Sequence, residues 1–492
     1  FVFEKLKELG LPPSEACTDA EFARRSALDI CGVLPRPEDV QSFENDQDPG
    51  KRTRWVIRLL ERPEYADFFA LKWSAILRNK RPAFLPGSKD PVTFAFHTWI
   101  RQSLAENKPY DRFVAQIVAA RGDAVANPPV AWYRPSGNND TDEKVDDTAQ
   151  LFLGLRIQCA RCHHHPFEKW SQDDYYGFAA FFGRIGRKPG DDPFTPRIFT
   201  LPAGMAKNPT TGKEYNPRPL GGRELSDLGP YSDPREALAG WLGEAQNPFL
   251  ARALVNRYWK HFFGRGLVEP EDDVRVTNPP SNPDLLDALA ADFRSNGFDL
   301  KHLVRTIATS RAYDRSSMPN DYNLADHQNF ARYYPKRLPA EVLLDAIGAV
   351  TASPEAFSGL PKGFRAAQLP DEGFASYFLE IFGRPKRESV CECERVSEAS
   401  LTQSLHLLNS GEVQQKLTSG TARAAGWVAD TRSEPEKIQE LYRLCCSRAP
   451  SAEEESICMA HLAQRRAEGK LRQGYEDLLW TLINTKEFLL NH

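Results

Sequence analysis

Apolar residues recur three and four positions apart along most of the chain, the spacing that lines one face of an α-helix. Residues 1–9 already read as an amphipathic helix. Thr18, followed by Asp19-Ala20-Glu21, supplies an N-cap and an acidic first turn, and residues 22–30 supply the apolar face behind it. Cys31-Gly32 and two prolines, Pro35 and Pro37, stop that helix. The same period predicts helices over 51–60, 66–77, 91–106 and 110–120. It also predicts a helix over 142–158 that runs straight into Cys159, and a short aromatic-rich one over 172–182. Beyond 233 it returns over 234–242, 247–262, 283–296, 300–309 and 340–351, then over 400–418, 434–446, 452–468 and 475–484.

Two stretches break the pattern. Residues 186–232 are dense in Pro, Gly, Lys, Asn and Thr, including Pro189-Gly190-Asp191-Asp192-Pro193. They predict an inter-domain insertion with at most a few short strands, 197–201 being the best candidate. Residues 354–387 are irregular as well. The expected architecture is mainly α: two helical lobes, 1–185 and 233–492, joined by the irregular Pro/Gly-rich insertion 186–232.

Composition narrows the function classes. A chain of 492 residues is too long for one hydrophobic core, and 41% hydrophobic with 26% charged residues is ordinary for a globular protein. Lys and Arg number 63 against 67 Asp and Glu, a formal charge of −4 that offers nucleic acid or anionic membrane no electrostatic pull. No apolar run is long enough to span a bilayer. The chain opens at Phe1 rather than Met, so a signal peptide, lipid anchor or upstream module is expected to have been cleaved or left out.

The candidate chemistry lies in Cys159-Ala160-Arg161-Cys162-His163. C-x-x-C-H is the attachment signature of a c-type haem: two thiols three residues apart reach two vinyl groups, and the next imidazole turns onto the iron. The chain's own composition would produce it by chance roughly 0.003 times. Two other readings remain open. Cys159, Cys162 and His163 or His165 could meet Cys391 and Cys393 in a zinc or iron site, or the C-x-x-C could work as a redox dithiol. His165, close to Glu168 and Asp173-Asp174, is a candidate acid or base beside the iron, Glu168 is a second candidate assisting at the distal face, and His164 reads as a solvated residue. Tyr175 and Tyr176 are expected to pack on the porphyrin. His261, where an aromatic helix meets Gly264, is a candidate distal group between the lobes. The sixth iron position is open: filled, it means electron transfer, and unfilled, catalysis or small-ligand binding.

The nine cysteines also include Cys391-Glu392-Cys393, the adjacent Cys445-Cys446, and Cys17, Cys31 and Cys458. A C-x-C pair rarely closes its own disulfide, so separate bonds from Cys391 and Cys393 to Cys445, Cys446 or Cys458 stand beside metal ligation or haem contact as expectations. Cys17 and Cys31 are either one disulfide or two small buried residues.

The run from Gly154 to Trp170, with Asp174-Tyr175-Tyr176, resembles the planctomycete cytochrome-C-like domain, as do 24–37 and 62–73. The second half resembles the domain of unknown function that habitually follows it, through 247–257, His261-Phe262-Phe263-Gly264-Arg265-Gly266-Leu267-Val268, 278–289, 298–303, 310–313 and 404–409. The resemblance implies an exported, periplasmic or extracellular protein with one covalent haem c, encoded among polysaccharide-degrading functions. Its partner would then be a redox protein or a small-molecule, carbohydrate-derived substrate. Many members carry Asp where this chain has His164, so no role transfers to that residue. An exported haem oxidoreductase is the leading expectation. A non-catalytic electron carrier and a haem-free, metal-stabilised polysaccharide-binding protein are the rivals.

Overall fold

The computed structural model describes all residues except 83–89, 135–139, 191–194, 227 and 396–399. Asp191-Asp192-Pro193 of the expected insertion lies outside the described residues. Among the described residues the chain is 53% helical, with only a few short strands in small sheets: mainly α. Its two compact units do not follow the sequence halves. One comprises residues 1–5, 72–307 and 387–392, and the other residues 6–71, 308–386 and 393–492.

In the second of these units the first long helix, Asp19–Cys31, forms as the sequence predicts. Thr18 and Glu21 close a capping box, and Gly32 ends the helix in the left-handed region at φ 61°. A Cβ at Gly32 would stand 2.6 Å from the Phe68 ring, so both backbone and packing require glycine there. The helix carries Arg24, Arg25 and Asp29, all buried. Such charges survive burial only with partners on every side. Arg24 donates to the carbonyls of Cys445 (2.9 Å), Glu487 (2.9 Å) and Phe488 (3.0 Å), which ties the helix to the C-terminal segment. Asp29 accepts from the hydroxyls of Tyr313 (2.8 Å) and Tyr333 (3.0 Å), from Lys336 Nζ (2.7 Å) and from Asn491 Nδ2 (2.8 Å). Behind this network the helices Glu434–Cys446, Ala452–Ala467 and Leu471–Ile483 pack on one another.

The other unit holds the C-x-x-C-H segment. Its core is aromatic: Trp73 meets Tyr110 at 5.6 Å and Phe113 at 5.3 Å, and Trp99 stacks on Phe113 at 5.0 Å. Helix Leu250–Phe263 packs against Pro283–Ser295, and Pro234–Leu242 against Tyr110–Val118. Most of the expected insertion is built into this unit. Strand Pro196–Thr200 lies between Ile185–Pro189 and the two-residue strand Gly122–Asp123, antiparallel to both, with Ile198 opposite Arg187 and Gly122. The strand expected over 197–201 is therefore the central one. At Gly186 a Cβ would fall 2.5 Å from the Phe199 ring opposite it, so a larger residue there has to displace that ring. A second hairpin, Ala206–Lys207 with Glu214–Tyr215, reaches the site through Tyr215, whose hydroxyl donates to Asp173 at 2.6 Å.

Candidate functional site

The helix expected to deliver the chain to Cys159 stops five residues earlier. Asp140–Thr148 is α-helical, Ala149–Leu153 widens to a π turn, and Gly154 ends it at φ 68°. The neighbourhood explains the break. The Gly154 carbonyl accepts from the Val274 amide at 2.8 Å, and a Cβ would stand 3.1 Å from the Val274 side chain and 3.3 Å from Ala253. The motif sits instead on its own 3₁₀ turn, Gln158–Arg161. The amides of Cys162 and His163 both bond the Cys159 carbonyl at 3.3 Å, which sets the two thiols and the imidazole around one loop.

Side chains from the next helix pin that loop. Ser171 and Asp174 form the capping box of Gln172–Ala179. Gln172 Nε2 then donates to the carbonyls of Arg161 (3.2 Å) and Cys162 (2.8 Å), and the Tyr176 hydroxyl donates to that of Arg161 (3.1 Å). Cys159 and Cys162 are free and exposed, and His163 is exposed beside them. His163 Nδ1 lies 2.6 Å from the His164 carbonyl, which can only accept. Nδ1 is therefore the donor, which in the neutral imidazole leaves the lone pair on Nε2, the tautomer a metal-ligating imidazole uses. Two unpaired thiols and one correctly tautomerised imidazole are a donor set that fits a covalently held haem.

The other expected site residues have specific places. His165 is engaged on both ring nitrogens, with Nε2 donating to the Arg156 carbonyl at 3.1 Å and Nδ1 accepting from the Phe167 amide at 3.3 Å. Glu168 accepts from the Val276 amide at 2.6 Å. Tyr175 and Tyr176 are buried, and Tyr176 stacks on Tyr215 at 5.6 Å. His261 lies in the field of Glu392. Burial alone would raise the Glu392 carboxyl. Lys72, bonded to it at 2.8 Å, together with Arg257 and His261, instead holds it well below the usual carboxylate range.

The C-x-C loop departs from expectation. Cys391 and Cys393 are disulfide-bonded while the remaining seven cysteines are free, so the two are joined to each other. Separate bonds to Cys445, Cys446 or Cys458 are not formed: those three thiols are buried and free, as are Cys17 and Cys31. The chain enters a 3₁₀ turn at Glu392–Glu394, a compact local path that lets neighbours two apart close a ring. As a disulfide, Cys391 and Cys393 offer no thiolate to a metal, which removes the ligand role expected of them in this state. Among the described residues, no group of three or more His, Cys, Asp or Glu side chains is placed to hold a metal ion.

Sequence reasoning predicted the helix before the motif but passed over its carboxylates. Asp142, Glu143, Asp146 and Asp147 lie at i, i+1, i+4 and i+5, so the pairs 142/146 and 143/147 take adjacent stripes of one helix. Glu143 (2.5 Å) and Asp147 (2.9 Å) hold Arg78, while Asp142 faces Arg161 of the motif at 3.5 Å. These six residues and Gln150 line a cleft of about 400 Å³ that adjoins the C-x-x-C-H turn through Arg161. In that cleft burial pushes the Asp146 carboxyl up to about 7, against the opposing pull of Arg161, and Tyr175 is the hydroxyl that faces it. A carboxyl poised near neutrality in an open cleft can take and return a proton. The carboxylate spacing was legible in the sequence, but its convergence on Arg161 was not.

Comparison with known proteins accounts for most of the chain. Residues 1–187 match the family model PSCyt2, described as a protein of unknown function (DUF1549). Residues 234–462 match the model PSD1, described as a protein of unknown function (DUF1553). No curated protein and no solved structure matches the chain. The order of the two domains is that of the planctomycete cytochrome-C-like and unknown-function tandem. The chain belongs to that tandem family, a DUF1549 (PSCyt2) domain followed by a DUF1553 (PSD1) domain.

Proposed function

We propose that this chain is an exported oxidoreductase for which Cys159 and Cys162 would hold one haem c covalently and His163 would bind its iron. The observation that carries the reading is the state of the donors: both thiols are free, and the His164 carbonyl engages His163 through Nδ1 and leaves Nε2 as the nitrogen available to a metal. When bound, the group supplies one-electron chemistry. The chain's own part is to bind and to move protons. Gln172 and Tyr176 hold the turn rigid through its carbonyls. Arg161 connects the turn to the cleft of about 400 Å³, where Asp146 is the proton-transfer group. His165, fully engaged by backbone groups, positions the loop.

Co-expression with a c-type haem maturation system tests this. Denatured, solvent-extracted protein should retain a pyridine haemochrome spectrum, and Cys159→Ser with Cys162→Ser should abolish it. A colourless wild-type protein overturns the assignment. One observation favours a second reading, a non-catalytic electron carrier: Cys159, Cys162 and His163 are all exposed, where a partner protein can dock. Binding of cyanide or carbon monoxide to the native protein separates the two, since a carrier with both axial positions filled binds neither.

A further inference from the structure

A second cleft, about 440 Å³ in volume, opens in the same unit as the motif. Its size suits a small ligand. Arg78, Lys80, Arg81, Arg134, Lys144 and Arg387 line it, and among the described residues Glu388 is the only carboxylate in that lining. The six cations come from four separate segments of the chain, so their convergence belongs to the fold and not to a local charge run. Like charges repel at this range, and the fold meets the repulsion from behind. Arg134 is anchored on Asp90 at 2.6 and 2.9 Å, Arg78 on Glu143 and Asp147, and Lys144 on Asp147 at 3.4 Å. The Lys144 ammonium also lies 4.7 Å over the Trp132 ring, which forms part of the wall.

Glu388 neutralises little. Its side chain is 67% exposed, and its contact with Lys80 at 3.4 Å joins two solvent-facing groups, a kind of pair of little worth. Guanidinium groups already oriented by a backing carboxylate lose little freedom on meeting a second oxyanion. We propose that this cleft binds a small organic ligand carrying an oxyanion group, carboxylate or sulfate, whether or not the chain carries haem.

Calorimetric titration of the full chain at constant ionic strength tests the proposal, with glucuronate, glucose 6-sulfate, inorganic sulfate and glucose as probes. Saturable binding of glucuronate or glucose 6-sulfate, without binding of glucose, is the expected result. Which of the two anions binds identifies the oxyanion. Lys80→Glu should weaken that binding about tenfold and Glu388→Gln should tighten it about threefold, as expected for one charge near the mouth of a partly screened site. Opposite responses to the two charge changes are something a general loss of structure does not produce. The proposal is overturned if neither organic anion binds, if glucose binds equally well, if inorganic sulfate alone binds, or if both variants shift affinity the same way.

Discussion

Asp29 and Asp146 are both carboxylates on helices, and the fold treats them in opposite ways. Asp29 is met by four donors from Tyr313, Tyr333, Lys336 and Asn491, drawn from three parts of the chain. Asp146 shares its cleft with Asp142 and Asp147, faces one tyrosine and one arginine, and keeps its proton up to about 7. A buried carboxylate with a donor on every side is structural cement, and one left among other carboxylates beside an open cleft is available for chemistry. The thiols divide in the same way. Burial pushes Cys31 and Cys446 up to about 12, whereas Cys159 and Cys162 are exposed.

The largest effect should come from breaking the satisfied site. Asp29→Ala leaves Lys336 and two tyrosine hydroxyls without their common acceptor, and should lower stability by about 3–5 kcal/mol. A denaturant midpoint that barely moves would mean that the network adds nothing. Asp146→Asn should leave that midpoint near its original value at about pH 4, where the native carboxyl is protonated, and raise it at neutral pH.

Thiol chemistry sharpens the contrast next. On haem-free protein, iodoacetamide should label Cys159 and Cys162 about a hundredfold faster than Cys31, Cys445 and Cys446, which should react only on unfolding. Peptide mapping after timed alkylation reads the ratio, and equal rates would show that the core thiols are open to solvent.

The pH dependence has a definite sign. Asp146 titrates near 3.8 in the unfolded chain and near 7 in the fold, so the folded state holds the extra proton in between. The stability this group contributes is full below about pH 4 and is lost as pH rises through about 7. Asp146→Asn removes that loss. The stability of the variant relative to the native protein should therefore climb across the same window. A flat difference between pH 4 and 8, measured by unfolding at each pH, would place Asp146 in solvent.

The smallest effect concerns the pins on the motif. Ser171→Ala removes the cap of helix Gln172–Ala179 and should cost about 1 kcal/mol. Gln172→Ala should leave global stability within about 1 kcal/mol yet raise the alkylation rate of Cys162, since only the loop carbonyls lose a donor.

Local signals in the chain sufficed for much of this. The 3.6-residue apolar period, the Thr18 N-cap with its acidic first turn and the glycine stop at Gly32 act within a few residues of backbone, so they can be read in order along the sequence. The C-x-x-C-H motif is equally local, because the spacing that would let two thiols and an imidazole share one group is a property of a single turn. Even the strand at Pro196–Thr200 was visible within a Pro/Gly-rich stretch.

Other features were settled only by contacts distant in sequence. Gly154 breaks the expected long helix because Val274 and Ala253 press against it. The compact units interleave segments of the chain that the apolar period divides into two halves. Asp146 holds its proton near neutrality because burial in the fold, and not its helix alone, sets its surroundings. The sequence by itself determined the mainly α class, the capped start of the Asp19–Cys31 helix and the donor set of the motif. Tertiary structure decided which carboxylate is satisfied and which is poised, because desolvation and charge pairing depend on which neighbours the fold packs around each one.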